Sequence, residues 1–275
     1  MNRNENRNGG VVRFAGLSGE LTGTGDRRPP LVLLHGLTFN RSMWDSTLVE
    51  LGAADPARQA LSLDLPGHGL SDSADSYRMD ALVDLLHDAI SAAGLTAPVM
   101  VGHSLAAIAA TIYATKYGTS GVVNVDQSLR TDQFSGFLRS ISEQLRGPAF
   151  PAMWGGFLAS MHIERLPTKA QELLAENSTP DQDLVLGYWE DVLNRPPEEM
   201  NAWAENGRAN LRATSLPYMY VVGEELDEED RAWMLQELPQ TVIKVLPGSG
   251  HFPQLAHPAE FAECLAETGR WPTRT

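Results

Sequence analysis

Apolar residues in the first half of the chain fall into short unbroken runs, each halted by a turn signal. Leu31-Val32-Leu33-Leu34 stops at His35-Gly36, and Ala60-Leu61-Ser62-Leu63-Asp64-Leu65 stops at Pro66-Gly67-His68-Gly69. Pro98-Val99-Met100-Val101 runs into Gly102-His103-Ser104, and Gly121-Val122-Val123-Asn124-Val125 ends at Asp126. A run without polar alternation suits a strand buried on both faces, the mark of a parallel sheet. Between the runs the period changes. Met43, Trp44, Leu48 and Leu51 fall at helical spacing, as do Met79, Leu82, Val83, Leu86 and Ile90, and an Ala-rich helix follows Ser104 to about Tyr117. A short β-like pair, Val11–Phe14 and Gly19–Thr22, precedes the first run. This alternation predicts an α/β sheet with helices on both faces.

The rhythm then stops. Residues 128–213 contain no strand pattern; helical patterns occupy 133–146, 149–161, 168–177, 181–194 and 197–213, separated by Pro-containing breaks. Strands resume at Pro217–Gly223 and 241–246, with helices at 228–237 and from Pro258. The reading is a core of 11–127 and 214–269 carrying an all-helical cap, or lid, over 128–213, with flexible tails at 1–10 and 270–275. An insertion at that point sits over the carboxyl ends of the strands, where open α/β sheets bind ligands.

Composition narrows the class. The chain has 275 residues, 43% hydrophobic and 20% charged, the proportions of a globular protein. Its formal charge of −14 disfavours nucleic acid, whose phosphates need a basic face, and an anionic membrane surface. Cys264 is the single cysteine and reads as half-buried on a helix, so no internal disulfide is possible. The polar N-terminus has no apolar stretch of a signal peptide, and no run approaches the length needed to span a bilayer. The expectation is a cytoplasmic monomer or homodimer. No His/Cys/Asp cluster stands at ligand spacing, so neither metal nor cofactor is expected.

Ser104 is the candidate nucleophile. A strand, a tight turn and a helix with serine at the apex form a nucleophile elbow, in which residues two before and two after must be small. Here they are Gly102 and Ala106. A hydroxyl needs a base, and His251, after a strand and the loop Gly248-Ser249-Gly250, is the histidine placed to supply it. The motifs His35-Gly36, Asp64–Gly69, Gly102–Ala106 and Gly248–Phe252 stand in an order that resembles lid-bearing α/β-hydrolases across the whole chain except lid and tails. That resemblance implies the α/β-hydrolase fold, a Ser104–His251 pair, and an oxyanion hole from the backbone N–H groups of Leu37 and Leu105. It also implies supporting roles for His35 and His103.

The third triad member stays open. The family usually takes its acid from the loop after the strand preceding the histidine strand, here Glu224–Asp230, yet Leu226 stands at the expected position. Asp227 is explained equally well as a helix N-cap. Asp126, at the end of the strand after the elbow helix, is preferred over Asp227, with Glu225 a third choice. Zearalenone-type lactone hydrolases take their acid from that strand end and carry a stretch resembling His251-Phe252-Pro253-Gln254-Leu255-Ala256-His257-Pro258.

A serine rather than an aspartate nucleophile argues against the haloalkane dehalogenase and epoxide hydrolase branches and for acyl transfer to water. Met153, Trp154, Phe157 and Trp189 in the lid are the candidate substrate-binding residues, and a Met- and Trp-rich lid suits an apolar ester or lactone of small to medium size. Two other classes stay open: a carbon–carbon bond hydrolase or cofactor-free lyase on the same triad, and a low-turnover ligand-binding protein.

Overall fold

The computed structural model describes residues 10–178 and 180–272. Eight strands form one sheet: β1 (Val12–Phe14), β2 (Leu17–Thr22), β3 (Leu31–Leu34), β4 (Ala60–Leu63), β5 (Val99–His103), β6 (Gly121–Val125), β7 (Tyr218–Val222) and β8 (Thr241–Val245). Their order is β1-β2-β4-β3-β5-β6-β7-β8. The β1–β2 and β2–β4 pairs are antiparallel, and every other pair is parallel. The chain moves outward from β3 to β4 and then returns to lay β5 on the other side of β3. The strand order therefore reverses between β3 and β5, and open α/β sheets bind ligands at the carboxyl ends of such a pair.

The unbroken apolar runs are buried on both faces, as their pattern requires. Val32, Leu34, Met100 and Val122 pack on one side with α2 (Met79–Ala92) and α3 (Leu105–Lys116). Leu31, Leu33, Val99, Val101 and Val123 pack on the other with α1 (Asp45–Ala54) and the C-terminal helix Pro258–Glu267.

Between β6 and β7 lie only helices among the described residues: α4 (Asp132–Ser140), α5 (Ser142–Arg146), α6 (Phe150–Ser160), α7 (Thr168–Asn177), α8 (Gln182–Tyr188), α9 (Glu190–Asn194) and α10 (Pro197–Thr214), with a 3₁₀ turn at Ile163–Arg165. The single helices expected over 133–146 and 181–194 are each two, broken at Ile141 and Trp189. Leu138, Phe150, Trp154, Val185 and Trp189 join the same hydrophobic cluster as the sheet, so these helices share its core. After β7 come α11 (Glu228–Glu237), β8, a short α12 (Pro253–Ala256) that the sequence reading missed, and α13 (Pro258–Glu267). Trp271, expected in a C-terminal tail, packs against the second cluster, and a side chain at Gly121 would meet its ring at 2.5 Å. Most of the two expected tails, 1–9 and 273–275, lies outside the described residues.

Candidate active site

Ser104 joins β5 to α3 with φ 55° and ψ −132°, a left-handed backbone that a non-glycine residue adopts only where its surroundings enforce it. The surroundings here are the helix start itself. A Cβ at Gly102 would lie 2.3 Å from the Ala106 carbonyl oxygen, so only glycine fits there. Ala106 is fully buried in the core, so its methyl is accommodated beside the turn. The Ser104 N–H donates to the Val125 carbonyl at 2.9 Å, tying the elbow to the end of β6.

That strand end carries a carboxylate bonded to the candidate base. His251 Nδ1–H donates to Asp126 Oδ2 at 2.7 Å, and the other carboxylate oxygen accepts from the Gly223 N–H at 3.1 Å. Asp126 itself sits at φ 54°, turned back toward the loop that holds the histidine. Of the three carboxylates the sequence left open, Asp126 is the one bonded to the imidazole. Asp227 caps α11, its Oδ1 accepting from the Asp230 N–H at 2.7 Å. Glu225 points to Arg231 at 3.8 Å and is largely exposed.

With Nδ1 engaged, Nε2 is the nitrogen available to the serine. Ser104 and His251 line one cavity of about 590 Å³. No hydrogen bond joins them among the described residues; such nucleophile–base contacts often tighten only in the substrate complex. The histidine loop is fixed by its backbone. The His251 carbonyl accepts from His103 Nε2–H at 2.7 Å, and its N–H donates to the Met161 carbonyl at 3.2 Å, a contact with the helical insertion.

The loop after β3 closes over the elbow because Gly36 has no side chain: a Cβ there would stand 2.6 Å from His103 Nδ1 and 3.3 Å from Ser104 Cβ. Two imidazoles pin it. His35 Nδ1–H donates to the Gly36 carbonyl at 2.8 Å while Nε2 accepts from the Leu65 N–H at 2.9 Å. His68 Nδ1–H donates to the Pro66 carbonyl at 3.0 Å, and its Nε2 accepts from the Thr38 N–H at 2.9 Å. Both rings must be neutral to accept these bonds. Burial enforces this, pushing the His68 pKa down to about 4 and that of His35 well below its ordinary range. Leu37 and Leu105 line the cavity, and their N–H groups have no protein acceptor among the described residues. Leu105 opens α3, where the first N–H groups of a helix have no partner within it.

Of the predicted substrate-binding residues, Trp154, Phe157 and Trp189 line the cavity in mutual ring contact, with Trp189 5.8 Å from Trp154 and 5.4 Å from Phe157. Met153 does not line it. One residue before Trp154 on α6, it is turned about 100° around the helix and packs, partly buried, on the hydrophobic cluster to which Trp154 belongs. The sequence reading missed Tyr220, which lines the cavity floor from β7, and Gly223, whose amide holds Asp126. The period-two alternation Tyr218, Tyr220, Val222 was the available signal for the first. A larger polar cleft of about 890 Å³, lined by Glu20, Arg41, Asp45 and Asp183 among others, holds neither nucleophile nor base. Among the described residues no group of three or more His, Cys, Asp and Glu could hold a metal, and no helix is long and apolar enough to cross a membrane.

Comparison with known proteins agrees with this layout. The chain is 27% identical over 265 residues to the pimeloyl-[acyl-carrier protein] methyl ester esterase of Nitrosospira multiformis, covering 88% of this chain and 95% of that one. It is 26% identical over 247 residues to the 2-succinyl-6-hydroxy-2,4-cyclohexadiene-1-carboxylate synthase of an Enterobacter species, covering 87% and 91%. A shorter stretch, 41% identical over 83 residues, matches protein ABHD14A of Danio rerio and covers 28% of this chain and 29% of that protein. In three dimensions the esterase EaEST of Exiguobacterium antarcticum superposes with a TM-score of 0.70 at 17% identity, over 95% of this chain and 99% of that one. The model of the alpha/beta hydrolase family matches residues 31–264, and the chain belongs to that family.

Proposed function

We propose that the protein is a serine hydrolase that cleaves an ester or lactone bond in a small to medium, mainly apolar substrate. The observation that carries this reading is the His251 Nδ1–H bond to Asp126, made where Nε2 and Ser104 share one cavity. Ser104 Oγ attacks the substrate carbonyl carbon and passes its proton to His251 Nε2. The oxyanion that forms is met by the N–H groups of Leu37 and Leu105, a type of stabilisation worth about 3–4 kcal/mol per donor in measured cases. Asp126 holds the ring in the tautomer with its proton on Nδ1 and stabilises the imidazolium. The imidazolium then protonates the departing alkoxide, leaving an acyl-enzyme. A water activated by the same histidine hydrolyses that ester and frees Ser104.

The cap over 128–213, inserted into a core of 11–127 and 214–269, sets what enters. Trp154, Phe157 and Trp189 supply an aromatic wall, which suits an apolar acyl or alcohol group. The similarity to a methyl ester esterase supports the ester class. The similarity to the cyclohexadiene carboxylate synthase keeps a second reading in view, cofactor-free carbon–carbon or elimination chemistry on the same three residues.

A series of p-nitrophenyl esters separates them. The expected result is hydrolysis by the unaltered protein and a loss of roughly 10⁴-fold or more in Ser104→Ala, as for other serine triads. Equal turnover by both proteins contradicts the reading, and an inert unaltered protein that still processes a ketonic substrate favours the second.

A further inference from the structure

Four tyrosines are buried: Tyr113, Tyr188, Tyr218 and Tyr220. Three have a protein partner for the hydroxyl. Tyr113 meets His87 Nδ1 at 3.1 Å, Tyr188 donates to the Pro66 carbonyl at 2.9 Å, and Tyr218 is 3.0 Å from both Thr111 and Asn124. Tyr220 has none among the described residues. A buried hydroxyl left unpaired and dry is costly, which is why such groups are nearly always satisfied. The Tyr220 oxygen is absent from the buried side-chain atoms that lack a partner, so it is not sealed in the core. The space it opens to is the catalytic cavity, which its side chain lines together with Ser104, Asp126 and His251.

We propose that Tyr220 is the residue that determines substrate specificity in this cavity, its O–H donating to a second, neutral oxygen of the substrate away from the scissile carbonyl. This deepens the ester or lactone reading and rests on it: the substrate is an ester or lactone that also carries a keto, hydroxy or ether oxygen. β7 places the ring. Tyr220 pairs in register with Asn124 on β6, two residues before Asp126, and its side chain lines the same cavity as that carboxylate and Ser104. The neighbouring carboxylate settles which acceptor fits. Asp126, with Asp191, Glu224 and Glu225 also on the cavity wall, repels an anionic oxygen, and Arg130, the one arginine on that wall among the described residues, is already paired with Glu229 at 2.8 Å. Burial and the charge of Asp126 keep the phenol protonated, so it remains a donor throughout the pH range of a hydrolase. Most of the wall's exposed surface is apolar, with Trp154, Phe157, Trp189 and Trp203 among its side chains, so an unmatched substrate oxygen would be penalised there and a matched one selected.

The test uses phenyl alkanoates and analogues in which one methylene at a time is replaced by an ether oxygen. Binding to Ser104→Ala is read by quenching of the cavity tryptophans, which requires no turnover. At one chain position the oxa-analogue should bind about three- to tenfold better, relative to the all-carbon ester, than at the other positions, the worth of one neutral hydrogen bond. In Ser104→Ala/Tyr220→Phe, which keeps the ring and loses only the oxygen, that preference should vanish. An unchanged preference in the double variant overturns the proposal, as does a flat profile, or no binding, in Ser104→Ala. Hydrolysis of the same esters by the unaltered protein is scored separately. Intact esters alongside a Tyr220-dependent profile would sink the hydrolase reading and leave the binding role standing.

Discussion

The turns after β6 and β7 end side by side at the same rim of the sheet, and both are supplied with carboxylates. The turn after β6 has one, Asp126, held between the His251 imidazole and the Gly223 amide. The turn after β7 has Glu224, Glu225 and Asp227, followed by Glu228, Glu229 and Asp230 in the first turn of α11, and their bonds run away from the imidazole. Glu224 pairs with Arg165 at 2.9 Å, Glu229 and Asp230 pair with Arg130, and Asp227 caps α11. Number of acids therefore does not locate the partner of the histidine. What matters is which carboxylate the backbone aims at the histidine, and the positive φ of Asp126 does that. The β7 turn contributes instead through Gly223, where a Cβ would lie 1.8 Å from the Gly250 carbonyl oxygen. Its close approach lets the amide reach Asp126.

The largest expected effect breaks this comparison directly. Asp126→Asn should lower kcat by about 10⁴-fold, because the amide no longer fixes the histidine tautomer. Asp227→Asn should leave kcat within about twofold, since asparagine caps a helix as well as aspartate does.

A second expectation concerns the loop that carries the Leu37 amide. His68 and His35 are buried neutral, whereas an unfolded chain protonates them near their ordinary value of 6.5. Below that pH the unfolded state binds more protons than the folded one, so stability is lost as pH falls from about 6.5 toward 4. For His68 alone the loss approaches about 3 kcal/mol at the low end. Urea unfolding at a series of pH values checks this, and His68→Gln should flatten the slope. An identical slope in the variant would remove His68 from the explanation.

Gly223→Ala sharpens the role of the β7 turn. Overpacking against the Gly250 carbonyl should cost about 1–3 kcal/mol of stability and reduce kcat as the Asp126 contact loosens. The smallest effect is expected from Asp227→Ala, about 1 kcal/mol of stability through loss of the cap, with no change in kcat.

Much of this was legible in the residues. The strands of the parallel sheet announced themselves because burial on both faces leaves no polar positions, and Ser104 did so because its turn admits only small neighbours. His251 followed from chain order. The acid was less legible: Asp126 and Asp227 each end a segment at the same rim, and a sequence does not show which side chain a backbone turn aims. Met153 and Trp154 share a helical stretch, but only the orientation of α6 decides which of them meets the cavity. The break at Ile141 carries no proline or glycine to mark it, and the one at Trp189 has only Gly187, inside the preceding helix. Tyr220 looks like any strand tyrosine until the partners of its neighbours are counted.

The carboxylate behind His251 stands directly after β6 and not after β7. Proton NMR of the protein with ¹⁵N-labelled histidine observes the His251 Nδ1–H directly. The expected spectrum shows a low-field, hydrogen-bonded resonance that persists in Asp227→Asn and is lost or moved far upfield in Asp126→Asn. A resonance unchanged in Asp126→Asn would contradict that placement.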